Sequence, residues 1–391
     1  MTMTITTTTR ICAVCSNTKW DPFLSTHTGR IMTSDQQVVA GNLDKSICQV
    51  CGAVADTETL TGAQARLLYG NGYHSDEHYF FTASGPVARS EIFARWILAN
   101  LPGPFNSLLE IGCGQGNVLQ RLQTRLSKMK PRIELRGIDG NEQSCELARA
   151  KGLDVQQGMV LGQGDKLPNS DILLAITVAE HVDDIRGFLS VLASSVSSGG
   201  RILLCLPVQD YPGYNGYDLF IAEHVWHLTR SQLCYILHNA GLEVIGIDTN
   251  PFIAGVNLFI CRASSRDAIP LMLCEPIPAV RNRMCWDGVF WKVDRWLNNK
   301  TRIAVFGGGE VLALLLAYTS LGDRHGDRQV LACLDEDVAK VGSKRNGIDV
   351  QPVEWLNDNP VDGVLLTLNQ RYHPQVLEEL EPYGVQVFSW A

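Results

Sequence analysis

Leu108 to Leu119 reads Leu-Leu-Glu-Ile-Gly-Cys-Gly-Gln-Gly-Asn-Val-Leu, and this stretch limits the possible folds more than any other. An apolar run enters three glycines at alternate positions, Gly112, Gly114 and Gly116, and a helical pattern leaves them. Glycines let a backbone turn sharply and approach a ligand closely, and the helix that follows offers its positive N-terminal end. Strand, glycine turn and helix form the opening of a β-α-β unit, whose strands pair in parallel. The alternation continues. Strands are expected at Ser107–Ile111, Ile133–Ile138, Asp171–Thr177, Arg201–Leu206, Glu243–Asp248 and Leu258–Arg262, with helices such as Asn117–Lys128, Glu142–Lys151 and Ile185–Ser195 between them. This predicts an α/β domain with a largely parallel sheet over residues 81–263. A second cycle starts at Arg302, with a strand to Phe306, a Gly307-Gly308-Gly309 turn, a helix over Glu310–Ser320 and strands at Gln329–Leu334, Gly363–Leu368 and Val385–Ser389. Residues 301–391 are therefore expected to form a second α/β domain.

Ahead of these domains stand two cysteine pairs, Cys12-Ala-Val-Cys15 and Cys48-Gln-Val-Cys51-Gly52. The C-x-x-C spacing lets one tight turn aim two thiolates at one ion, and two such knuckles close a tetrahedral zinc site. Residues 10–80 are expected to be a zinc-binding lobe, with a small insertion between the knuckles. The alternative is a redox dithiol or chance pairing. The other eight of the twelve cysteines are isolated in mostly apolar surroundings and read as core residues. Residues 264–300 suggest an amphipathic linker helix whose Trp286, Phe290, Val293, Trp296 and Leu297 share one face for interdomain packing.

Composition excludes several classes. The formal charge is −8 and no third of the chain is basic, which argues against nucleic acid as the main partner. The longest apolar runs, such as Ile172–Ala179 and Val311–Tyr318, fall far short of the roughly 20 residues a spanning helix needs, so no membrane partner is expected. Residues 1–9 read as a disordered Thr-rich leader without the pattern of a signal peptide, which suggests a cytoplasmic location. Oligomeric state is not legible.

Two acids give the glycine turn its ligand. Glu110, two residues before Gly112, could bond an ammonium group, and Asp139, after the next strand, is placed to accept from ribose hydroxyls. Ribose plus an amino-acid moiety describes S-adenosylmethionine. The segment Glu-Ile-Gly-Cys-Gly-x-Gly resembles motif I of class I S-adenosylmethionine-dependent methyltransferases, with Glu110, Gly112, Cys113, Gly114, Gly116 and Asp139 as the implied cofactor residues. Ile172–Thr177 followed by Ala-Glu180-His181-Val resembles their fourth strand, and Glu180 and His181 read as structural. Gly158-Met159 departs from the Gly-Asp of many relatives, so the adenine contact is left unassigned.

The order of parts resembles the zinc-containing sugar C-methyltransferases of deoxysugar pathways. Cys48-x-x-Cys51-Gly-Ala-Val, Leu67-Leu-Tyr-Gly-Asn-Gly-Tyr73, Phe306-Gly-Gly-Gly and Leu334-Asp-Glu-Asp-x-x-Lys340-x-Gly342 carry the likeness. It implies a small zinc lobe, a central methyltransferase domain and a C-terminal Rossmann-like domain. It also implies methylation of a carbon beside a keto group on a nucleotide-linked sugar. The family's Asp-Thr-Ile-Tyr-His-Glu-His-x-Ser-Tyr is matched by Asp218-Leu-Phe-Ile-Ala222-Glu223-His224-Val-Trp226-His227, which keeps Asp218, Glu223 and His224. A neutral imidazole can take a proton and a neighbouring carboxylate can orient it, so His224 is the expected base and Glu223 its partner. A loop cap is the bland reading of His224, and His227 is a second candidate.

Ala222 and Trp226-His227 replace family residues, which leaves an oxygen or nitrogen acceptor open. An RNA methyltransferase with zinc knuckles and a non-catalytic binding protein are further alternatives. Tyr73, His74, His78 and Tyr79 could cover the cofactor or form a plain loop. Arg121, Arg125, Lys128, Lys130 and Arg132 read as a solvated helix end.

Overall fold

The computed structural model describes residues 10–58, 69, 77–82, 85–129, 132–211, 216–264, 277–324, 329–337 and 340–390. Tyr73, His74, Lys130 and the Thr-rich leader lie outside the described residues. Two compact units are present: the first comprises 1–23, 44–218 and 224–280, the second 24–43, 219–223 and 281–391.

The first unit is built on a seven-stranded sheet among the described residues. Its strands are β1 (Ser107–Ile111), β2 (Glu134–Asp139), β3 (Asp154–Gln157), β4 (Ser170–Ile176), β5 (Val196–Pro207), β6 (Leu242–Thr249) and β7 (Val256–Ala263), in the order β3-β2-β1-β4-β5-β7-β6. Pairings from β3 to β5 are parallel, and β7 runs antiparallel to both β5 and β6. Parallel strands covered on both faces need continuous apolar runs, and Leu108, Leu109, Ile172 to Ala175 and Ile202 to Leu206 are all buried. Chain order reverses between β1 and β4, the crevice where ligands sit in open α/β sheets. The expected strands are found within a few residues of their positions. The short β3 was missed because Asp154-Val-Gln-Gln presents one apolar residue to a sheet edge.

Helices α1 (Arg89–Asn100), α2 (Asn117–Met129), α3 (Glu142–Ala150), α4 (Ile185–Ser195) and α5 (Arg230–Asn239) cover the sheet. Capping sets several starts: Asn141 and Asp184 accept from the amides of Ser144 and Gly187, and Thr229 with Gln232 forms a full capping box. Arg121 and Arg125 do more than solvate a helix end. Both reach Glu91 on α1 and so join α1 to α2.

The second unit has its own six-stranded sheet among the described residues. Lys344–Arg345, Ile348–Gln351, Gln329–Leu334, Arg302–Phe306, Gly363–Leu366 and Val387–Phe388 lie in that order, parallel except for the first pair. The linker helix spans Ile277–Leu297, and its expected aromatic face packs within this unit rather than serving only as a bridge. Phe290 meets Phe220 and Tyr318, Trp286 meets Trp390, and Trp296 stacks on Phe388.

The stretch between the cysteine pairs is not one lobe. Its hairpin, Arg30–Met32 with Val38–Ala40, belongs to the second unit. Arg30 donates to the carbonyls of Leu316 (3.0 Å) and Thr319 (3.1 Å), Met32 N donates to the Tyr318 hydroxyl (3.2 Å), and Asn346 bonds Val38 N and the Gln36 carbonyl.

Candidate active site

The four paired cysteines converge. Cys12 and Cys51 sulfurs are 3.5 Å apart, Cys15 and Cys48 3.4 Å, and all four lie within 4.8 Å of one another. A tetrahedral zinc–thiolate site with bonds of roughly 2.3 Å has sulfur–sulfur edges of about 3.8 Å, so the cluster fits the ion. Each knuckle closes with a left-handed residue, Ser16 (φ 61) after the first pair and Gly52 (φ 68) after the second, which bring Ser16 N to the Cys12 carbonyl and Gly52 N to the Cys48 carbonyl. Asn17 donates to the Cys48 sulfur (3.6 Å), the kind of bond that steadies a metal-held thiolate. The Cys12 thiol is pushed down to about 5, chiefly by the Cys51 sulfur beside it, while Cys51 is driven up by the same contact. Bare thiols cannot all ionise together; a dication would let them. Arg186 on α4 bonds the Val14 carbonyl (2.6 Å) and Ser16 (3.0 Å), and Gln232 on α5 bonds the Cys51 carbonyl (2.8 Å), fastening the knuckles to the central domain.

At the carboxyl end of β1 the chain turns through Gly112 (φ 69), Gly114 (φ 52) and Gly116 (φ 72). A Cβ on Gly112 would stand 2.5 Å from Val178, and one on Gly116 2.3 Å from Leu153, so side chains are excluded twice over. Asp139 Oδ2 accepts from Gly114 N (2.7 Å) and Oδ1 from Asn141 N (2.8 Å). The acid thus holds the turn, a duty that its sequence position did not reveal. Each carboxylate oxygen can accept twice, so both keep capacity for a further donor. Glu110 is 3% exposed, and burial, with repulsion from Asp139, raises it to about 8. Its Oε2 has no hydrogen-bond partner among the described residues. Cys113 is buried beside both acids, with its thiol pushed up by burial. Met159 lies against Gly140, the residue after Asp139, so the departure at this position supplies an apolar surface. Asp139→Ala is expected to weaken S-adenosylmethionine binding by about 1–3 kcal/mol, measured by calorimetry, and to loosen the Gly114 turn as well. Tight binding of a nicotinamide dinucleotide instead would overturn the assignment.

At the end of β4, Thr177 takes a left-handed φ of 50, unusual for a β-branched residue, and the chain enters the 3-10 turn Ala179–His181. The side chains of Glu180 and His181, read from the sequence as structural, meet that of His224 in one cluster. The His181 and His224 rings stand edge to face at 4.8 Å, and the Tyr69 hydroxyl reaches His181 Nδ1 at 3.2 Å. Burial, then the neighbouring His181, His227, Lys45 and Arg89, push His224 well below the ordinary histidine range, so its ring is neutral. Burial raises Glu180 to about 8. Asp218 bonds His227 Nδ1 (3.2 Å) and Gln209 (2.7 Å) rather than His224. Lys45, buried and paired with Asp56 (2.6 Å), donates to the His224 carbonyl (2.8 Å) and fixes that backbone. Trp226, where the family has a polar residue, bonds the Asp183 carbonyl (3.1 Å) as an anchor. Lys45 carries no motif and was missed; Tyr69 and Glu180 lie in motifs that gave no sign of their place beside the histidines.

In the second unit Glu223 Oε2 accepts from Ser34 N (3.0 Å), and burial raises its carboxyl to about 7. A polar cavity of about 200 Å³ is lined by Gln36, Gln37, Gly308, Gly309, Lys344 and Arg345, among others. It opens at the glycine turn, which Asp335 holds by accepting from Gly308 N (3.1 Å) and pairing with Lys340 (3.0 Å). Tyr79 is half exposed on a short strand and His78 precedes it, with its carbonyl held by Arg89 N.

Among the described residues no helix is long and apolar enough to cross a membrane. A search of curated proteins returns no match. Similar solved structures include an S-adenosylmethionine-dependent methyltransferase from Clostridium acetobutylicum (12% identity, 45% of this chain and 91% of that one, TM-score 0.35). They also include human N-acetylserotonin methyltransferase in complex with S-adenosylmethionine (16%, 45% and 54%, 0.37). A third is N,N-8-amino-8-demethyl-D-riboflavin dimethyltransferase from Streptomyces davawensis (21%, 45% and 55%, 0.36), so this chain spans about half the length of the last two. The methyltransferase-domain family model matches residues 88–247, from the start of α1 into β6 and across the whole glycine cradle. On that match, residues 88–247 carry a methyltransferase domain.

Proposed function

We propose that the protein transfers a methyl group from S-adenosylmethionine to a small, activated, sugar-like molecule, most consistently a carbon beside a keto group of a nucleotide-linked sugar. The observation that carries the reading is the glycine cradle with its two acids inside a matched methyltransferase domain. Glu110 would meet the cofactor's ammonium and Asp139 its ribose, with Gly112, Cys113, Gly114 and Gly116 forming the wall between them. Met159 offers a flat purine an apolar contact. Neutral His224 would accept the acceptor's proton, and Glu223, next in the chain and raised toward neutrality, would share it. The polar, cationic cavity of the second unit has the chemistry for a nucleotide's phosphates. Cys12, Cys15, Cys48 and Cys51 would hold a structural zinc.

The test is a mass-spectrometric screen of nucleoside-diphosphate keto sugars with isotopically labelled methyl donor. Label on a sugar carbon is the expected result. Label on oxygen or nitrogen would replace the carbon chemistry, and label only on RNA would end the small-molecule reading.

A further inference from the structure

Glu180 is 2% exposed, yet neither of its carboxylate oxygens is hydrogen-bonded to another residue. Nδ1 of His224, itself enclosed, is equally without a partner. Ligand atoms of Glu180, His181 and His224 lie within 4.8 Å of one another, and a bond from Val225 N to the Glu180 carbonyl (2.8 Å) ties the two segments together. Unpaired buried polar groups are costly, so a fold that keeps two in one cluster needs a compensating reason.

The surrounding charges supply one. Lys45 and Arg89 face His224, and His181 and His227 crowd it; each opposes a positive ring. Asp218 spends its Oδ2 on His227 and Gln209. Glu180 is the acid that clusters with the ring, a carboxylate oxygen lying within 4.8 Å of a His224 nitrogen.

We propose that Glu180 positions the His224 ring and, in its ionised form, supplies the negative charge that lets it hold a proton taken from the acceptor. The proposal rests on the reading of His224 given above. When the acceptor's C–H bond breaks, its electron pair stays on carbon and the proton goes to Nε2 of His224. The Nδ1–H then points at the Glu180 carboxylate, as in other buried carboxylate–imidazole pairs. The carbon takes the methyl from the sulfonium, the sulfur–methyl bond breaks, and S-adenosylhomocysteine leaves neutral at sulfur.

Nitrogen-15 NMR of histidine-labelled full-length protein with S-adenosylhomocysteine tests this without an acceptor, the His224 signal being assigned by its loss in His224→Gln. Wild type should carry the ring proton on Nδ1. Glu180→Gln should lower the ring's titration midpoint by about 1 pH unit, since a compensating charge is gone. It should melt no earlier than wild type, because a neutral amide is easier to bury than a carboxylate. Glu180→Asp keeps the charge and should keep the wild-type tautomer, which guards against misfolding of the first variant. With a nucleoside-diphosphate keto sugar as acceptor, Glu180→Gln should lose at least about 10-fold in kcat with KM unchanged. An unchanged tautomer and midpoint in Glu180→Gln would overturn the proposal. So would a transition-metal ion beyond that of the cysteine site, present in wild type and lost in Glu180→Gln, since Glu180 would then be a ligand. If wild type methylates no such sugar, the acceptor reading fails while the NMR result still decides the role of Glu180.

Discussion

Cys48→Ser protein is expected to aggregate on expression, or to melt about 10 °C or more below wild type, and purified wild type is expected to contain about one zinc per chain by elemental analysis. Structural zinc contributes roughly 10–16 kcal/mol in small four-ligand sites, comparable to the whole stability of a typical domain. Loss of only about 4 kcal/mol would lower the melting temperature of a domain this size by about 8–16 °C. The effect reaches past the knuckles. Cys12, Val14, Cys48, Cys51 and Ala53 are buried in the same apolar cluster as Val182, Phe188 and Leu189 of the central domain. Arg186 and Gln232 would lose ordered carbonyls to bond. Carefully reconstituted protein that folds fully without zinc would remove the metal from the account.

The second large effect is on turnover. General-base catalysis contributes typically about 10²–10⁴-fold, so His224→Ala should lower kcat in that range while S-adenosylmethionine affinity stays nearly intact. The cradle residues lie on β1, in the turn after it and on β2 and do not include His224, and the His224 backbone stays tied to Lys45 whatever side chain it carries. Glu223→Gln should cost less, because its amide still accepts from Ser34 N and only the charge is lost. Exchange of the acceptor's acidic hydrogen with deuterated solvent, with S-adenosylhomocysteine bound, separates proton removal from methyl transfer. Wild-type turnover and exchange in His224→Ala would reduce the histidine to a loop cap and move the search to His227.

Most of the fold was legible because it rests on short-range regularities. Apolar runs of strand length bounded by glycine announce β1, β4 and β5 whatever lies elsewhere in the chain. Helix starts were legible for the same reason, since Asn141, Asp184 and Thr229 cap amides only three residues on. Lone edge strands were not, because an edge strand needs little apolar surface.

The candidate site divides along the same line. Gly112, Gly114, Gly116 and Glu110 could be read directly, since a turn that excludes side chains and an acid beside it are local facts. The cysteine pairs could be read because C-x-x-C spacing is itself a local geometry, and the four sulfurs lie within 4.8 Å of one another. Sequence could not show that Asp139 braces Gly114, that Lys45 lies under His224, or that the hairpin at Arg30–Val38 belongs with the second unit. Nor could it show that Glu180, at the end of β4, clusters with His224, where the bond from Val225 N to the Glu180 carbonyl ties the two segments together. Residue type and spacing determine which chemistry is available and which elements form. Which groups meet depends on how separate elements pack and on the burial that removes competing water, and that is decided only when the chain has closed on itself.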